Sequence, residues 1–254
     1  MTAPVHAARW RHRLAAAGFH ALAGGVALLF VGPGLWVLAA SLRQPGLPPP
    51  AAVEWLPSAP AWANYARIFE MLPLARYLAN SLVVAGLAIP LTVLVASWAG
   101  FAMAQLPSRP RHGLLALAVV VRMIPLTALW LTRFLVLREL RLIDSLLALL
   151  APVTMGSSPF FVLIFYWAFR RVPPALFEAA RLEGMGALRI WAHIAMPLAR
   201  PATAAVGLLT FVQYWSDFMN PLLYLKSDER YTLPLGLRML QQMDATNWPL
   251  LMAG

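Results

Sequence analysis

Long apolar stretches constrain this chain more than any other feature of its sequence. A helix rises ~1.5 Å per residue and the hydrocarbon core of a bilayer is ~30 Å thick, so about 20 mainly apolar residues can span it. Five stretches qualify, at residues 14–42, 77–106, 114–137, 145–169 and 203–225. With 61% hydrophobic and 12% charged residues, the chain has too little charge to cover a soluble domain. The sequence therefore predicts an all-α fold, a polytopic transmembrane helical bundle with five full spans.

The first stretch has two interpretations. Arg9, Arg11 and Arg13 precede it, as basic residues precede the apolar part of a secretory signal peptide. The apolar run is, however, far longer than the ~7–15 residues of a cleaved signal. We favour a retained first helix.

The basic residues lie mainly at the ends of the apolar stretches, although the net charge is +10. This pattern indicates anchoring of loops at a membrane surface rather than binding of nucleic acid. Arginine is denser in the loops that share a side with the N-terminus, and basic loops favour the cytoplasm. We therefore expect a multi-pass membrane protein with a cytoplasmic N-terminus, in contact with lipid, and with segment 170–200 in the cytoplasm.

Several kinds of chemistry are excluded or disfavoured by the sequence. The chain has no Cys, which excludes thiolate metal sites and cysteine nucleophiles. Lys226 is the only lysine and follows Leu225 rather than a glycine, so no ATP-binding P-loop is present. Because no H-E-x-x-H or G-x-S-x-G motif occurs either, a membrane hydrolase is a weak alternative. We predict no catalytic residue, no metal site and no cofactor bound by the chain itself.

A long polar segment at residues 172–201 separates the fourth and fifth stretches. Pro173 and Pro174 suit a helix start, and Gly184 and Gly186 interrupt the pattern. We predict two short helices, the second over residues 187–196 with one apolar face. On pattern alone, an amphipathic connector on the membrane surface and a docking element for another protein remain equally open.

The residues of this segment resemble a known motif. The matching positions are Glu178-Ala179-Ala180, Gly184, Trp191, Ile194, Met196-Pro197 and Pro201. They are similar to the EAA loop of binding-protein-dependent ABC importer permeases, which have the MetI-like permease fold. Three positions depart mildly from the family pattern, at Glu183, Met185 and Met196.

The resemblance implies that this segment docks on a separate ATPase subunit, which binds and hydrolyses the ATP. The implied coupling residues are Glu178, Ala179, Ala180, Arg181, Glu183, Gly184, Trp191, Ile194 and Pro197. The residue types suit that role. Small Ala179 and Ala180 permit close seating, Glu178 offers a carboxylate to a basic partner, and Gly184 permits a sharp turn.

Further short matches extend over nearly the whole chain and resemble the maltose and glycerol-phosphate type of carbohydrate permease. They are Pro33-Gly34-Leu35-Trp36, Asn64-Tyr65, Asn80-Ser81-Leu82, Trp215-Ser216-Asp217-Phe218 and residues 231–237. Permeases for polyamines, peptides or inorganic anions are the alternative. The resemblance implies a sugar or sugar-like solute and a bacterial plasma membrane. It also implies a second, homologous permease, two ATPase subunits and an extracellular or periplasmic solute-binding protein as partners.

The same resemblance suggests how the chain is divided. Residues 1–75 would hold the N-terminal segment, the first helix and an outer loop, and residues 76–254 the permease core. Relatives of this kind carry a sixth helix that begins near the position of Trp248, whereas this sequence ends at Gly254. We therefore expect five full spans and a truncated sixth. A membrane scaffold that does not transport stays an alternative.

Polar residues inside the predicted spans are candidates for a translocation path, because a charge there costs ~2.5–3.5 kcal/mol on insertion scales. The candidates are Asn80, Arg122, Tyr214, Trp215, Asp217 and Asn220. The alternative for Asp217 is a cap or an ion pair with a neighbouring helix, with Arg122 as one possible partner. Arg133 lies near a span end and is expected to reach the membrane surface. Pro90, Pro125, Pro152 and Pro159, with Gly156, are expected to interrupt their spans.

Overall fold

The computed structural model describes residues 3–46, 55, 57, 59–154, 158–242 and 247–254. All regular secondary structure within these residues is helical, which agrees with the predicted all-α fold. The α-helices are α1 (Ala3–Ser41), α2 (Ala63–Met71), α3 (Leu74–Gln105), α4 (Ser108–Met123), α5 (Trp130–Glu139), α6 (Leu146–Thr154), α7 (Pro159–Arg170), α8 (Pro174–Leu182), α9 (Ala187–Ile190), α10 (Met196–Leu198), α11 (Arg200–Trp215), α12 (Met219–Tyr224), α13 (Leu233–Gln241) and α14 (Trp248–Ala253). A π-helical turn, Trp191–Ala195, joins α9 to α10, and 3₁₀ turns cover Leu126–Leu129 and Asp228–Arg230.

Within the part of the chain that the structure describes, two helices are long and apolar enough to cross a membrane alone, the Ala16–Ser41 part of α1 and the whole of α3. The predicted third span is instead two helices, Ser108–Met123 and Thr127–Glu139, that meet at 85°. Pro125 lies at this bend, where it lacks an N–H and restricts the residue before it. The expected interruptions at Pro90 and Pro152 were wrong, because α3 continues through Pro90 and α6 through Pro152. Pro159 begins α7, and Gly156 lies outside the described residues.

The fourth and fifth predicted spans are also assembled from two helices each. The fourth contains α6 and α7, and residues 155–157 between them lie outside the described part of the chain. In the fifth, α11 ends at Trp215 and α12 begins at Met219. Counting bent pairs as single spans raises the number of candidate spans in the described residues to five at most.

The chain divides into two compact units. The first comprises the described residues of 1–73 and 237–254. In it α14 packs against both α1 and α2. The side-chain amide of Asn64 donates to the carbonyl oxygens of Ser41 and Arg43, at 2.7 Å each, and so ties α2 to the end of α1. The predicted division of the chain at residue 75 concerns function and stays a prediction.

The second unit, Leu74–Gly236, is organised around α3. Small buried residues recur at every fourth position of this helix, at Ala88, Thr92, Ala96, Gly100 and Ala104. They form one stripe along which α6, α7 and α11 pack, since small side chains let membrane helices approach closely. The approach is close at Gly100, where a Cβ atom would lie 2.8 Å from the Cβ of Phe165 and 2.9 Å from the backbone nitrogen of Tyr166.

An apolar core lies at each end of this unit. The core near the C-terminal half of α3 contains Phe101, Phe165, Phe169 and Phe177. The core near its N-terminal half contains Val84, Leu149 and Tyr224. Because α3 extends over 32 residues, or ~48 Å, these two ends are well separated within the unit.

Candidate functional site

The segment predicted to dock on another protein forms a compact loop, here called the α8–α10 loop (Pro174–Leu198). The chain turns by 79° between α7 and α8. Pro174 occupies the first turn of α8, where its missing N–H costs no helical hydrogen bond. Phe177 and Ala180 are buried in the core beside α3 and α7, so one face of α8 is held by the bundle and the other is left exposed.

Gly184 makes the sharp turn after α8. Its φ of +79° is in the left-handed region that favours glycine. The Gly184 N–H donates to the Arg181 carbonyl at 3.0 Å and the Met185 N–H donates to the Ala180 carbonyl at 2.9 Å, so both close the end of the helix. A Cβ at Gly184 would meet no atom within 4 Å, and backbone conformation alone therefore demands glycine.

The second part of the loop differs from the single helix predicted over residues 187–196. α9 gives way at Trp191 to a π-helical turn, which ends at Ala195 and leads into α10. Ile190 and Ala195 at its borders are buried in the core. Such wide turns are uncommon in proteins and are frequent at functional positions. The chain then bends by 83° into α11.

The nine predicted coupling residues do not form one surface. The exposed ones are Glu178, Ala179, Arg181, Glu183, Gly184 and Pro197. Ala180 is buried, and Trp191 and Ile194 are half-buried against the core beside α3. The loop therefore has an outer face available to a partner and an inner face that holds it to the bundle.

Two side chains of the loop also hydrogen-bond to α3. The Arg181 guanidinium donates through Nη2 to the Gln105 side-chain oxygen. The Trp191 indole donates through Nε1 to the Ser97 hydroxyl at 3.3 Å. The Trp191 ring also meets the edge of Trp98, with ring centroids 5.6 Å apart.

The predicted path residue Asp217 lies in the break between α11 and α12. Its carboxylate accepts the Asn220 backbone N–H at 3.2 Å and the Asn220 side-chain amide at 2.8 Å. This is the capping geometry that the sequence left as an alternative. Arg122 is exposed in the last turn of α4, and Arg122 and Asp217, both described, form no ion pair.

The other residues predicted to line the path make different contacts in the structure. Trp215 stacks on Phe211 at 5.3 Å, and Tyr214 is half-buried in the core that contains Tyr224. Asn80 donates to the carbonyl oxygens of Glu229 and Tyr231, at 2.9 and 3.0 Å, and so holds a loop. A path through these residues stays a prediction.

The C-terminal two thirds of the chain match a known family. The model of the binding-protein-dependent transport system inner membrane component matches residues 92–254, which include the whole α8–α10 loop and the broken helix α11–α12. The chain belongs to this family. It is therefore a membrane subunit of a transport system and not an enzyme, as the sequence predicted.

Relatives of this transport-system component cover most of the chain. The sulfoquinovosyl glycerol transport system permease protein SmoH of Agrobacterium fabrum is 33% identical over 221 residues, which are 87% of this chain and 78% of that protein. A putative ABC transporter permease of Streptomyces antibioticus is 37% identical over 182 residues, 72% of this chain and 80% of that protein. The arabinooligosaccharides permease AraQ of Bacillus subtilis is 31% identical over 175 residues, 69% of this chain and 62% of that protein.

The fold also agrees with a solved transport-system structure. A chain of a bacterial ABC transporter that imports the acidic polysaccharide alginate superposes with a TM-score of 0.77, over 95% of this chain and 91% of that chain. At 19% identity this likeness shows the fold alone. It supports the MetI-like permease fold predicted from the loop motif.

The residues of α3 that hydrogen-bond to the α8–α10 loop were not predicted from the sequence. Ser97 and Gln105 are polar positions in an otherwise apolar stretch, and that contrast was the available signal. It was insufficient by itself, because serine and glutamine also occur in membrane helices without a partner on another segment. Their role follows only from the position of the loop beside α3.

Proposed function

We propose that this chain is the permease subunit of an ATP-driven importer and forms part of the transmembrane path for a sugar or sugar-like solute. Family membership supports the transport role. The carbohydrate class is supported by the names of relatives, which include permeases for sulfoquinovosyl glycerol, arabinooligosaccharides, diacetylchitobiose and lactose. Because several carbohydrate permeases are similar in sequence to this chain, we prefer a sugar to a polyamine, a peptide or an inorganic anion as the solute.

The outer face of the α8–α10 loop is the observation that carries the coupling role. Leu182 is 90% exposed at the tip of the loop, and Leu188 is 68% exposed beyond the turn. Glu178, Arg181 and Arg189 accompany them on the exposed surface. A loop that exposes large apolar side chains as well as charges of both signs suits a protein partner better than open solvent. In this proposal the partner is a separate ATPase subunit, and the chain binds no ATP itself.

The remaining partners and the orientation belong to the same proposal. A second, homologous permease completes the membrane path, two ATPase subunits dock on the cytoplasmic side, and a solute-binding protein delivers the solute from outside. The N-terminus and the α8–α10 loop then lie in the cytoplasm of a bacterial cell. Closure of the ATPase pair moves the loop and alternates the bundle between outward and inward openings.

The break at Asp217 is the best candidate for the bundle's contribution to the path. Irregular backbone at membrane depth is tolerated where it lines a cavity or is buried in protein. The Asn220 side-chain oxygen and the Tyr224 hydroxyl are buried and have no hydrogen-bond partner among the described residues. Opening of this region would expose two acceptors suited to sugar hydroxyls. A path role for Asn80, Arg122, Tyr214 and Trp215 is supported by sequence alone.

A substitution at the loop tip tests the proposal. Leu182→Glu places a charge on an exposed side chain that makes no contribution to the core, so the permease itself should fold normally. We expect the variant to lose most of its co-purifying ATPase and its solute-stimulated ATP hydrolysis, with loss of uptake in reconstituted vesicles. Ser108→Glu is the matched control, because it adds one charge at an exposed position at the start of α4, near Gln105 but outside the loop.

Two results would contradict the docking role. One is wild-type ATPase binding and uptake by the Leu182→Glu complex. The other is a Leu182→Glu complex that is normal in detergent, while the same substitution weakens the binding of an isolated loop peptide to anionic lipid vesicles. The latter would identify the loop as an amphipathic membrane-surface connector, the alternative that the sequence pattern left open.

A further inference from the structure

We propose that α3 receives the motion of the α8–α10 loop through two side-chain pairs, Arg181 with Gln105 and Trp191 with Ser97, here called the latch. Ser97 and Gln105 are then positioning residues for energy coupling. The inference rests on the proposed importer function, and it concerns contacts between the loop and α3 within the permease. Arg181 is also on the exposed surface of the loop, whereas Ser97 is buried.

The latch holds both arms of the loop. Arg181 precedes the turn at Gly184 and Trp191 follows it, so a pair lies on each side of the turn. On α3, Ser97 and Gln105 are eight residues apart, or ~12 Å along the helix axis. Two attachments at this separation fix the direction of the loop relative to α3 as well as its distance. A single pair would fix one point only, and the apolar packing that also holds the loop is non-directional.

The inner pair is built into the packed interior. Ser97 is fully buried, with 0% of its surface exposed, and its hydroxyl donates to the Leu94 carbonyl at 3.1 Å while it accepts from Trp191. The hydroxyl therefore both donates and accepts at one site. Alanine at position 97 would leave the indole N–H of the half-buried Trp191 without this acceptor, and loss of one partner of a hydrogen bond is costly where water is partly excluded.

The π-helical turn explains how Trp191 reaches α3. Trp191 is the first residue of that turn, and both Ile190, which precedes the turn, and Ala195, which ends it, are buried in the core. The wide turn thus keeps apolar residues at both of its borders in the core while Trp191 contacts Ser97 and the ring of Trp98. The local departure from α-helical geometry coincides with the residue that makes the latch.

α3 is suited to carry a displacement onward. It packs against α6, α7 and α11 along its small-residue stripe. At its other end Asn80 and Ser81 hydrogen-bond the backbone of residues 229, 231 and 233. A loop fixed to α3 at two points therefore moves a helix that contacts most of the second unit. The latch stays closed while the ATPases work, and the loop and α3 move together.

Removal of one hydrogen bond at a time tests the inner pair. Trp191→Phe keeps an aromatic ring and deletes the N–H donor, Ser97→Ala deletes the acceptor, and Ser97→Thr restores a hydroxyl. In the complex with ATPase subunits and binding protein, we expect the first two to lower solute imported per ATP hydrolysed by about fivefold, the lower end of typical coupling between sites. The double variant should be no worse than either single variant, and Ser97→Thr should approach the wild type.

The control for the indole is Trp167→Phe, because Trp167 lies on α7 in the same unit and is 59% exposed. It should leave the import ratio unchanged. Wild-type coupling in Trp191→Phe, or a defect in Ser97→Thr as large as that in Ser97→Ala, would overturn the latch. If the wild-type complex neither imports solute nor stimulates ATP hydrolysis, the proposed function itself fails, and the latch as a coupling device fails with it.

The outer pair can be tested by cross-linking, because the chain has no native cysteine. Gln105→Cys with Arg181→Cys, joined by a short bifunctional thiosulfonate, fixes the loop to α3. A latch that stays closed predicts that the cross-linked complex keeps most of its uptake and ATP hydrolysis. Loss of uptake that returns on reduction would show that the loop must leave α3 during the cycle, and the rigid latch would be wrong.

Discussion

The two ends of α3 hold their neighbouring loops by different means. At the Leu74 end, residues 226–233 are fixed by polar side chains that bond backbone groups. Asp144 accepts the amides of Lys226 and Ser227 at 2.9 and 3.0 Å, and Ser81 accepts the amide of Leu233 at 2.8 Å. At the Gln105 end, the α8–α10 loop is held by apolar packing and the two pairs of the latch, and its tip leaves Leu182 exposed.

This difference in attachment indicates which of the two loops, residues 226–233 or the α8–α10 loop, can be displaced by a partner. Hydrogen bonds to backbone groups are directional and lose their strength over a small displacement. Apolar packing is non-directional, so a packed loop can shift with its helix while it stays attached. The Leu74 end of α3 and residues 226–233 therefore form one rigid unit, here called the fixed frame, whose parts keep their positions relative to one another when α3 moves. We therefore expect the Gln105 end to be the part of the second unit that transmits force from a partner.

The largest expected effect is steric and concerns the packing near the Gln105 end. Gly100→Ala places a Cβ within 2.9 Å of the Tyr166 nitrogen and the Val162 oxygen, which are backbone atoms and cannot rotate away. We expect a loss of about 2–3 kcal/mol in stability, the upper part of the usual range for overpacking. It should appear as a lower thermal unfolding midpoint of the purified permease in detergent.

Gly86→Ala provides the matched control on the same helix. A Cβ there would meet no atom within 4 Å, and alanine favours the helix by about 0.5–1 kcal/mol over glycine. The two substitutions should therefore shift the unfolding midpoint in opposite directions. Equal shifts would show that close approach of α3 and α7 does not limit stability.

The next effect is electrostatic and concerns the fixed frame at the Leu74 end. Asp144→Ala removes the acceptor for two backbone amides and the Ser227 hydroxyl, and the ion pair with Arg230 at 3.3 Å. We expect a loss of about 2 kcal/mol, typical of hydrogen bonds to a charged group. Asp144→Asn should lose less, because it keeps one oxygen and tolerates the φ of +60° at this position. Glu139→Ala, at a 76% exposed side chain in the same connection, should change little.

The same carboxylate predicts a pH dependence. Its hydrogen bonds, first from the Ser227 hydroxyl and then from the backbone amides, lower the pKa of Asp144 from 3.8 to about 2. Because the folded state favours the charged form, this stabilisation is complete above pH 4 and is lost as the pH falls to about 2. The stability difference between wild type and Asp144→Asn should therefore shrink over that interval. A difference that stays constant from pH 5 to pH 2 would contradict the assignment.

The sequence predicted the helical class, the loop and its turn because these have local causes. Pro174 at a helix start and Gly184 at a left-handed turn act through their own backbone preferences. Local preferences could not predict that the chain bends at Pro125 but continues as a helix through Pro90. Both prolines lie in apolar runs, and the outcome depends on whether neighbouring helices hold the chain straight. α3 packs against three helices along its length, which accounts for its continuity.

The site was predicted less completely than the fold. The loop motif identified Arg181 and Trp191 but gave no reason to connect them to Gln105 and Ser97, which lie 76 and 94 positions away in the chain. A pairing of this kind is a property of the packed bundle. The five spans, the cytoplasmic N-terminus and the solute path stay predictions, because each depends on the membrane or on partner subunits.

The smallest expected effect concerns an exposed ion pair at the Leu74 end of α3, which we compare with a pair of hydrogen bonds to the backbone. Arg76 and Asn80 are one helical turn apart on α3, and both reach Glu229. The Arg76 guanidinium lies 3.8 Å from the Glu229 carboxylate with both side chains more than half exposed. The Asn80 amide instead donates to two backbone carbonyls. Arg76→Gln should change stability by less than about 0.5 kcal/mol, as exposed ion pairs do.

Asn80→Ala should cost about 1 kcal/mol or more under the same conditions, because two carbonyl groups lose their donor. Thermal unfolding of both variants at low and high salt makes the distinction sharper. The Arg76→Gln effect should vanish at high salt through screening, whereas the Asn80→Ala effect should persist. A larger, salt-sensitive loss for Arg76→Gln than for Asn80→Ala would mean that surface charge rather than backbone bonding holds residues 226–233, and the contrast between the two ends of α3 would need a different cause.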